Sequence, residues 1–72
     1  MKSNLKKMFP ALMRVGMTQE EIETLADEVP NAHWWINVID DGKVFVVSCK
    51  NKDSVAWLYK SAESGETEVS GG

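Results

Sequence analysis

Apolar and polar positions along this chain change period as the chain proceeds. Leu5, Met8, Phe9 and Leu12 recur at helical spacing, with Val15 one turn later, and predict a first helix. Ser3 or Asn4 stands where its N-cap would be. Pro10 interrupts the run. A proline in a helix interior removes one hydrogen bond and clashes with the preceding turn. The spacing therefore predicts either a kink at Phe9 or a new helix opening with Pro10 in its first turn. Gly16 supplies a left-handed end. Thr18-Gln19-Glu20-Glu21 then reads as a capping box, Thr18 capping and Glu21 reaching back, with Met17 and Ile22 placed for a hydrophobic staple. Glu20, Glu21 and Glu23 suit the positive end of this second helix. Ile22, Leu25, Ala26 and Val29 form its buried stripe. Pro30 ends it, because the residue before a proline is pushed out of the α region.

From His33 the period falls to two. Asp41-Gly42 lies between two β-rich runs and marks a type I′ turn, which needs positive φ at both central residues. That turn sets a register. Val38 faces Phe45, Ile36 faces Val47 and Trp34 faces Cys49 on one side of the hairpin; Ile39 faces Val44, Asn37 faces Val46 and Trp35 faces Ser48 on the other. A ribbon with one wet face would not be apolar on both. The second face calls for a cover: the chain's own helices, a second copy or a partner.

After Lys50, Asn51 or Asp53 reads as the cap of a last helix, striped by Val55, Leu58, Tyr59 and Ala62. Trp57 sits roughly 200° around that helix from Val55 and points elsewhere. The remainder is small, polar and acidic and reads as a disordered tail. The expected fold is one small α+β domain over 1–61, in the order α-α-β-β-α, with the antiparallel hairpin packed against helices. A flexible acidic tail over 62–72 follows. If the first two helices take one face of the hairpin and the last takes the other, the chain covers itself. If all the helices take one face, a homodimer through the second hairpin face is the simplest cover.

Seventy-two residues bury a modest fraction of their surface, so one domain of marginal stability is the most they make. One cysteine excludes an intrachain disulfide framework and suits a reducing compartment. Cys49 lies on the predicted inner face and reads as a small buried hydrophobe. No apolar run approaches the roughly 20 residues of a membrane span. The start lacks the apolar stretch and small-residue cleavage pattern of a signal peptide, so the expected location is cytoplasmic and no membrane is implied. The net charge is −3, unevenly spread. Residues 18–41 carry seven acids and no base, whereas 42–60 carry four lysines against Asp53. An acidic chain argues against general nucleic-acid binding, where phosphate contacts supply most of the affinity.

Candidate chemistry is sparse. The single histidine, His33, opens the first strand beside Lys50 and diagonal to Ser48, with no acid placed to orient its ring as a catalytic Ser–His pair requires. His33 and Cys49 face opposite sides and make no tetrahedral metal site. Asp40 and Asp41 are adjacent carboxylates, but turn chemistry accounts for them. Gly16 and Gly42 are isolated and form no phosphate loop. No catalytic residue, metal or cofactor is assigned, and no enzyme is expected.

Met17-Thr18-Gln19-Glu20-Glu21-Ile22, preceded by Gly16, resembles the helix start of Cro-type helix-turn-helix repressors. That resemblance implies a compact DNA-binding regulator. The chain departs from the pattern at Glu23, where the family has a small residue, and at Asp27, where it has a glycine turn. The stretch from Pro30 to Ile39, where the recognition helix would run, contains no Arg or Lys. Val69-Ser70-Gly71-Gly72 resembles the double-glycine end of leader sequences on ribosomally made peptides, and also the Gly-Gly end of ubiquitin-like sulfur carriers. The first implies cleavage after Gly72. Glu66 departs from it, standing where such leaders carry an apolar residue. A helix-first order departs from the β-grasp of the carriers.

Tryptophan carries the best functional signal. Trp34 falls on the core side of the hairpin, while Trp35 and Trp57 fall off the predicted core faces, with Ile39, Val44 and Val46 near Trp35. Such aromatics mark a binding surface; a second small core closed by the N-terminal helices is the competing account. The expected function is a small non-catalytic protein-binding module, with Trp35 and Trp57 as anchors. Ile39, Val44 and Val46 extend that surface, and Glu20, Asp27, Asp40 and Asp41 are the steering charges. By analogy of size and charge, phage and mobile-element inhibitors that occlude a host enzyme or defence complex share this profile. A peptide-precursor leader and a helix-turn-helix regulator are the alternatives.

Overall fold

A computed structural model of the chain describes residues 3–62 and the strand Thr67–Gly71. Two helices, α1 (Leu5–Arg14) and α2 (Gln19–Glu28), precede an antiparallel sheet of β1 (His33–Ile39), β2 (Val44–Asn51), β3 (Ser54–Ser61) and β4 (Thr67–Gly71). The strands lie in chain order, each beside the next. The α+β class and the helix-packed hairpin are as the periodicity predicts. The order is not: the expected third helix is β3, and part of the expected tail is β4. The rest of that tail, residues 63–66 and 72, lies outside the described residues.

α1 runs through Pro10 as one element. Pro10 is exposed, and so is Lys6, whose carbonyl loses its partner one turn earlier. The helix closes on a Schellman motif: the Met17 N–H donates to the Leu12 carbonyl and the Gly16 N–H to that of Met13, both at 3.1 Å, with Gly16 at φ +100°. Leu12 and Met17, which this motif brings together, are both buried. At the other end neither expected cap is conventional. Asn4 occupies the N-cap position, but its side chain does not cap the helix. Ser3 Oγ accepts from the Leu5 N–H, while Asn4 reaches to β1. Its Nδ2 donates to the Trp34 carbonyl at 3.0 Å, and the Trp34 N–H donates to its Oδ1 at 2.6 Å. One amide thus does for an edge strand what a neighbouring strand would do, and ties α1 to the sheet.

The α2 capping box is formed in full. Thr18 Oγ1 accepts from the Glu21 N–H at 3.1 Å, and the Thr18 N–H donates to Glu21 Oε1 at 2.8 Å. The same carboxylate takes the buried ammonium of Lys60 on β3, 2.8 Å from Oε1 and 3.0 Å from Oε2. A residue that starts the helix therefore also fastens it to the sheet.

The predicted hairpin register is observed in all six pairs, and His33 pairs with Lys50. Asp41 (φ 57°, ψ 38°) and Gly42 (φ 86°) form the type I′ centre, closed by the Lys43 N–H donating to the Asp40 carbonyl at 3.1 Å. Asp40 also takes a positive φ, 52°, so the ladder stops at Ile39 and Val44. A two-residue turn at Lys52-Asp53 then carries the chain into β3, with Lys52 at φ 56° between paired Asn51 and Ser54.

Leu12, Met17, Ile22, Leu25 and Val29 from the helical half join Ala32, Trp34, Val47, Cys49, Ala56 and Leu58 in one core. All the strand members belong to one face of the sheet, and both helices pack there. Of the two arrangements that the sequence allows, the one in which a last helix covers the second face fails, because that segment extends the sheet instead. Val55, Trp57 and Tyr59 alternate with Ala56, Leu58 and Lys60, and this period of two prevails over a stripe that also fits a helix.

Candidate functional site

The face of the sheet opposite the helices is built by strict alternation. Three rows cross it: Trp35, Ser48 and Trp57; Asn37, Val46 and Tyr59; and Ile39, Val44 and Ser61. A fourth, of His33, Lys50 and Val55, closes the end farthest from the β1–β2 turn. Among the described residues no helix lies over this face. Trp35, Val44, Val46, Val55, Trp57 and Tyr59 are half-buried, Ser48 is buried in the row between the two tryptophans, and Ile39 is exposed.

Five of the residues singled out in the sequence thus meet on one surface: Trp35, Trp57, Ile39, Val44 and Val46. Tyr59 and Val55 join them and were assigned instead to a helix stripe. The signal that places them is the alternation through β3, which Lys60 obscures by putting a cation at an inward position. Of the four steering acids, Asp40 and Asp41 stand in the turn at one end of the face. Glu20 and Asp27 do not join it: they are exposed on α2, across the sheet. There Glu20 lines a groove between α2 and β3 with Glu21, Glu28 and Leu58.

At the other end of the outer face the ring of His33 stacks on Trp35, centroids 6.0 Å apart and planes at 25°. With Lys50, Asn51 and Lys52 they line an open cleft of about 570 Å³. His33 is therefore engaged with an aromatic ring at a sheet corner. Among the described residues no group of three or more His, Cys, Asp or Glu side chains is placed to hold a metal. No helix among them is long and apolar enough to cross a membrane.

Cys49 is fully buried on the inner face. Burial pushes its thiol up to about 11; a hydrogen bond with the backbone of Ala56 opposes this and the charge of Glu28 adds to it. A thiol held protonated and out of contact with solvent is a core side chain. The described residues thus present a closed core on one face of the sheet and a broad aromatic surface on the other. Searches against protein-family models, curated proteins and solved structures returned no match for this chain.

Proposed function

We propose that this protein is a small non-catalytic protein-binding module whose working surface is the outer face of the sheet. One observation carries the reading: Trp35 and Trp57 flank Ser48 on a face that α1 and α2 leave open, with Val46, Tyr59, Val44 and Ile39 continuing it. Tryptophan and tyrosine are the side chains most enriched at binding hot spots, since each offers large apolar area and a polar atom at low entropic cost. The acids of α2 lie across the sheet and play no part in the contact; Asp40 and Asp41 contribute at its edge. His33–Ile39, where the helix-turn-helix alternative would carry its recognition helix, is a strand.

Capture with the immobilised full chain tests the reading. A protein retained by the wild type and lost with both Trp35→Ala and Trp57→Ala, each variant keeping its far-ultraviolet circular dichroism, is the expected result. A protein retained equally by all three chains would place the working surface elsewhere.

A further inference from the structure

The two ends of the outer face differ in charge. The β1–β2 turn carries Asp40 and Asp41 against Lys43. The opposite end carries Lys50 and Lys52, with His33 beside them, against Asp53. One end is net acidic and the other net basic, separated by the seven residues of β1, about 23 Å at ~3.3 Å per residue. Between them, three strands spaced at ~4.8 Å carry a largely apolar face on the order of 300 Å² in projection, comparable to the largest apolar patch of a typical monomer, which is often functional.

We propose that the occupant of this face is a second copy of the chain, packed sheet to sheet about a two-fold axis lying in the interface and running across the strands. The proposal rests on reading the outer face as a docking surface. Charge selects the axis. A two-fold parallel to the strands would lay turn on turn and set Asp40 and Asp41 against their own copies. The axis across the strands reverses strand direction, so the aspartates of each copy approach Lys50 and Lys52 of the other, and do so twice. Each strand then lies over its own counterpart, end for end. With the axis centred on the face, the row of Trp35, Ser48 and Trp57 meets the row of Asn37, Val46 and Tyr59. Trp57 of one copy covers Tyr59 of the other, and Ser48 meets Val46. Two sheets packed in this way form a sandwich about 10 Å thick, with the outer face as its interior and the helices outside.

The test is the solution mass of the full chain across concentration, with two complementary variants. The wild type is expected to reach the mass of a dimer. The pair Asp40→Lys and Asp41→Lys makes both ends basic; the pair Lys50→Asp and Lys52→Asp makes both acidic. Each variant alone is expected to dimerise about tenfold or more weakly than the wild type, because every end contact is then repulsive. An equimolar mixture is expected to recover a dimer of one copy of each, because every end contact in it joins opposite charges. Both variants change positive-φ positions, Asp40 and Asp41 in one turn and Lys52 in the other. Aspartate tolerates that conformation better than lysine, so the second variant carries the test of weakening if the first folds poorly; Val46→Arg, in the middle of the face, is then the second probe. A wild type that stays monomeric to its solubility limit overturns the dimer and leaves the binding-module reading standing. A dimer that survives the lysine reversal and Val46→Arg overturns it by putting the interface elsewhere. Two well-folded variants that weaken alone but do not recover on mixing overturn the axis proposed.

Discussion

Cys49 and Asn4 show how much of this small fold rests on single side chains. The thiol sits at about 11 in the folded chain, above the 9.0 of a solvated one. Folding therefore favours the protonated form, and that contribution is whole below pH 9 and lost as the pH rises toward 11. The gap corresponds to about 3 kcal/mol. Chemical denaturation of the wild type is expected to show stability falling across this range, with a shallower fall for Cys49→Ala; parallel curves would mean that other groups account for the loss. A thiol reagent at neutral pH is expected to label Cys49 only as fast as the protein opens. Asn4 makes both its amide bonds to the Trp34 backbone, so Asn4→Ala leaves a strand edge and a helix start without their tie. A loss of about 1–2 kcal/mol is expected in the same measurement. Neither contact was legible in the sequence. Asparagine before an apolar helical run reads as a cap, and only the proximity of β1 turns its side chain to another purpose.

At the scale of elements, legibility followed how many independent signals agreed. The second helix had a cap, a staple, a stripe and a terminating proline, and all of them coincide in α2. The hairpin had a turn pair and two alternating runs, and its register follows because a turn of fixed length leaves no freedom to slip. The third helix had only a stripe and a candidate cap, Asn51 or Asp53. Val55, Leu58, Tyr59 and Ala62 fit a period of 3.6, but the β-branched and aromatic residues among them favour a pleated surface. Lys60 then hides the period of two, because it is a buried cation held by Glu21 from α2. That pair forms only once α2 is docked, so no local pattern could announce it. The same carboxylate gives a graded prediction. Thr18→Ala removes one half of the capping box and is expected to cost about 1 kcal/mol. Glu21→Ala removes the other half and the contact with Lys60, and is expected to cost at least twice as much in a urea titration. Equal losses would mean that the ion pair contributes nothing. Gly16→Ala isolates a backbone effect, since a Cβ there meets nothing within 4 Å while φ is +100°. A loss of about 1 kcal/mol is expected from conformation alone.

For the molecule as a whole, the decisive feature is a core on one side of a sheet. Both helices are spent on the inner face, so adjacent residues of β2 live in different environments: Val47 is fully buried, while Val46 is half-buried on the open face. In a self-contained two-sided domain the two valines would be equally costly to truncate. Here Val47→Ala is expected to cost about 2–3 kcal/mol, since it empties part of a closed core. Val46→Ala is expected to cost well under 1 kcal/mol in dilute solution, where its neighbours remain near water. Total stability for a chain of this length is on the order of 4–11 kcal/mol, so the first change takes up a large share of it and the second does not. Raising the protein concentration separates the two further. If a second copy closes the outer face, association adds to the stability of every chain whose face is intact, and Tm rises with concentration. The penalty for Val46→Ala should then grow with concentration, while that for Val47→Ala, paid inside each monomer, should stay the same. Thermal melts of the two variants and the wild type at widely spaced concentrations read this directly. A Val46→Ala penalty that is large and independent of concentration would mean that some part of the chain itself covers the outer face.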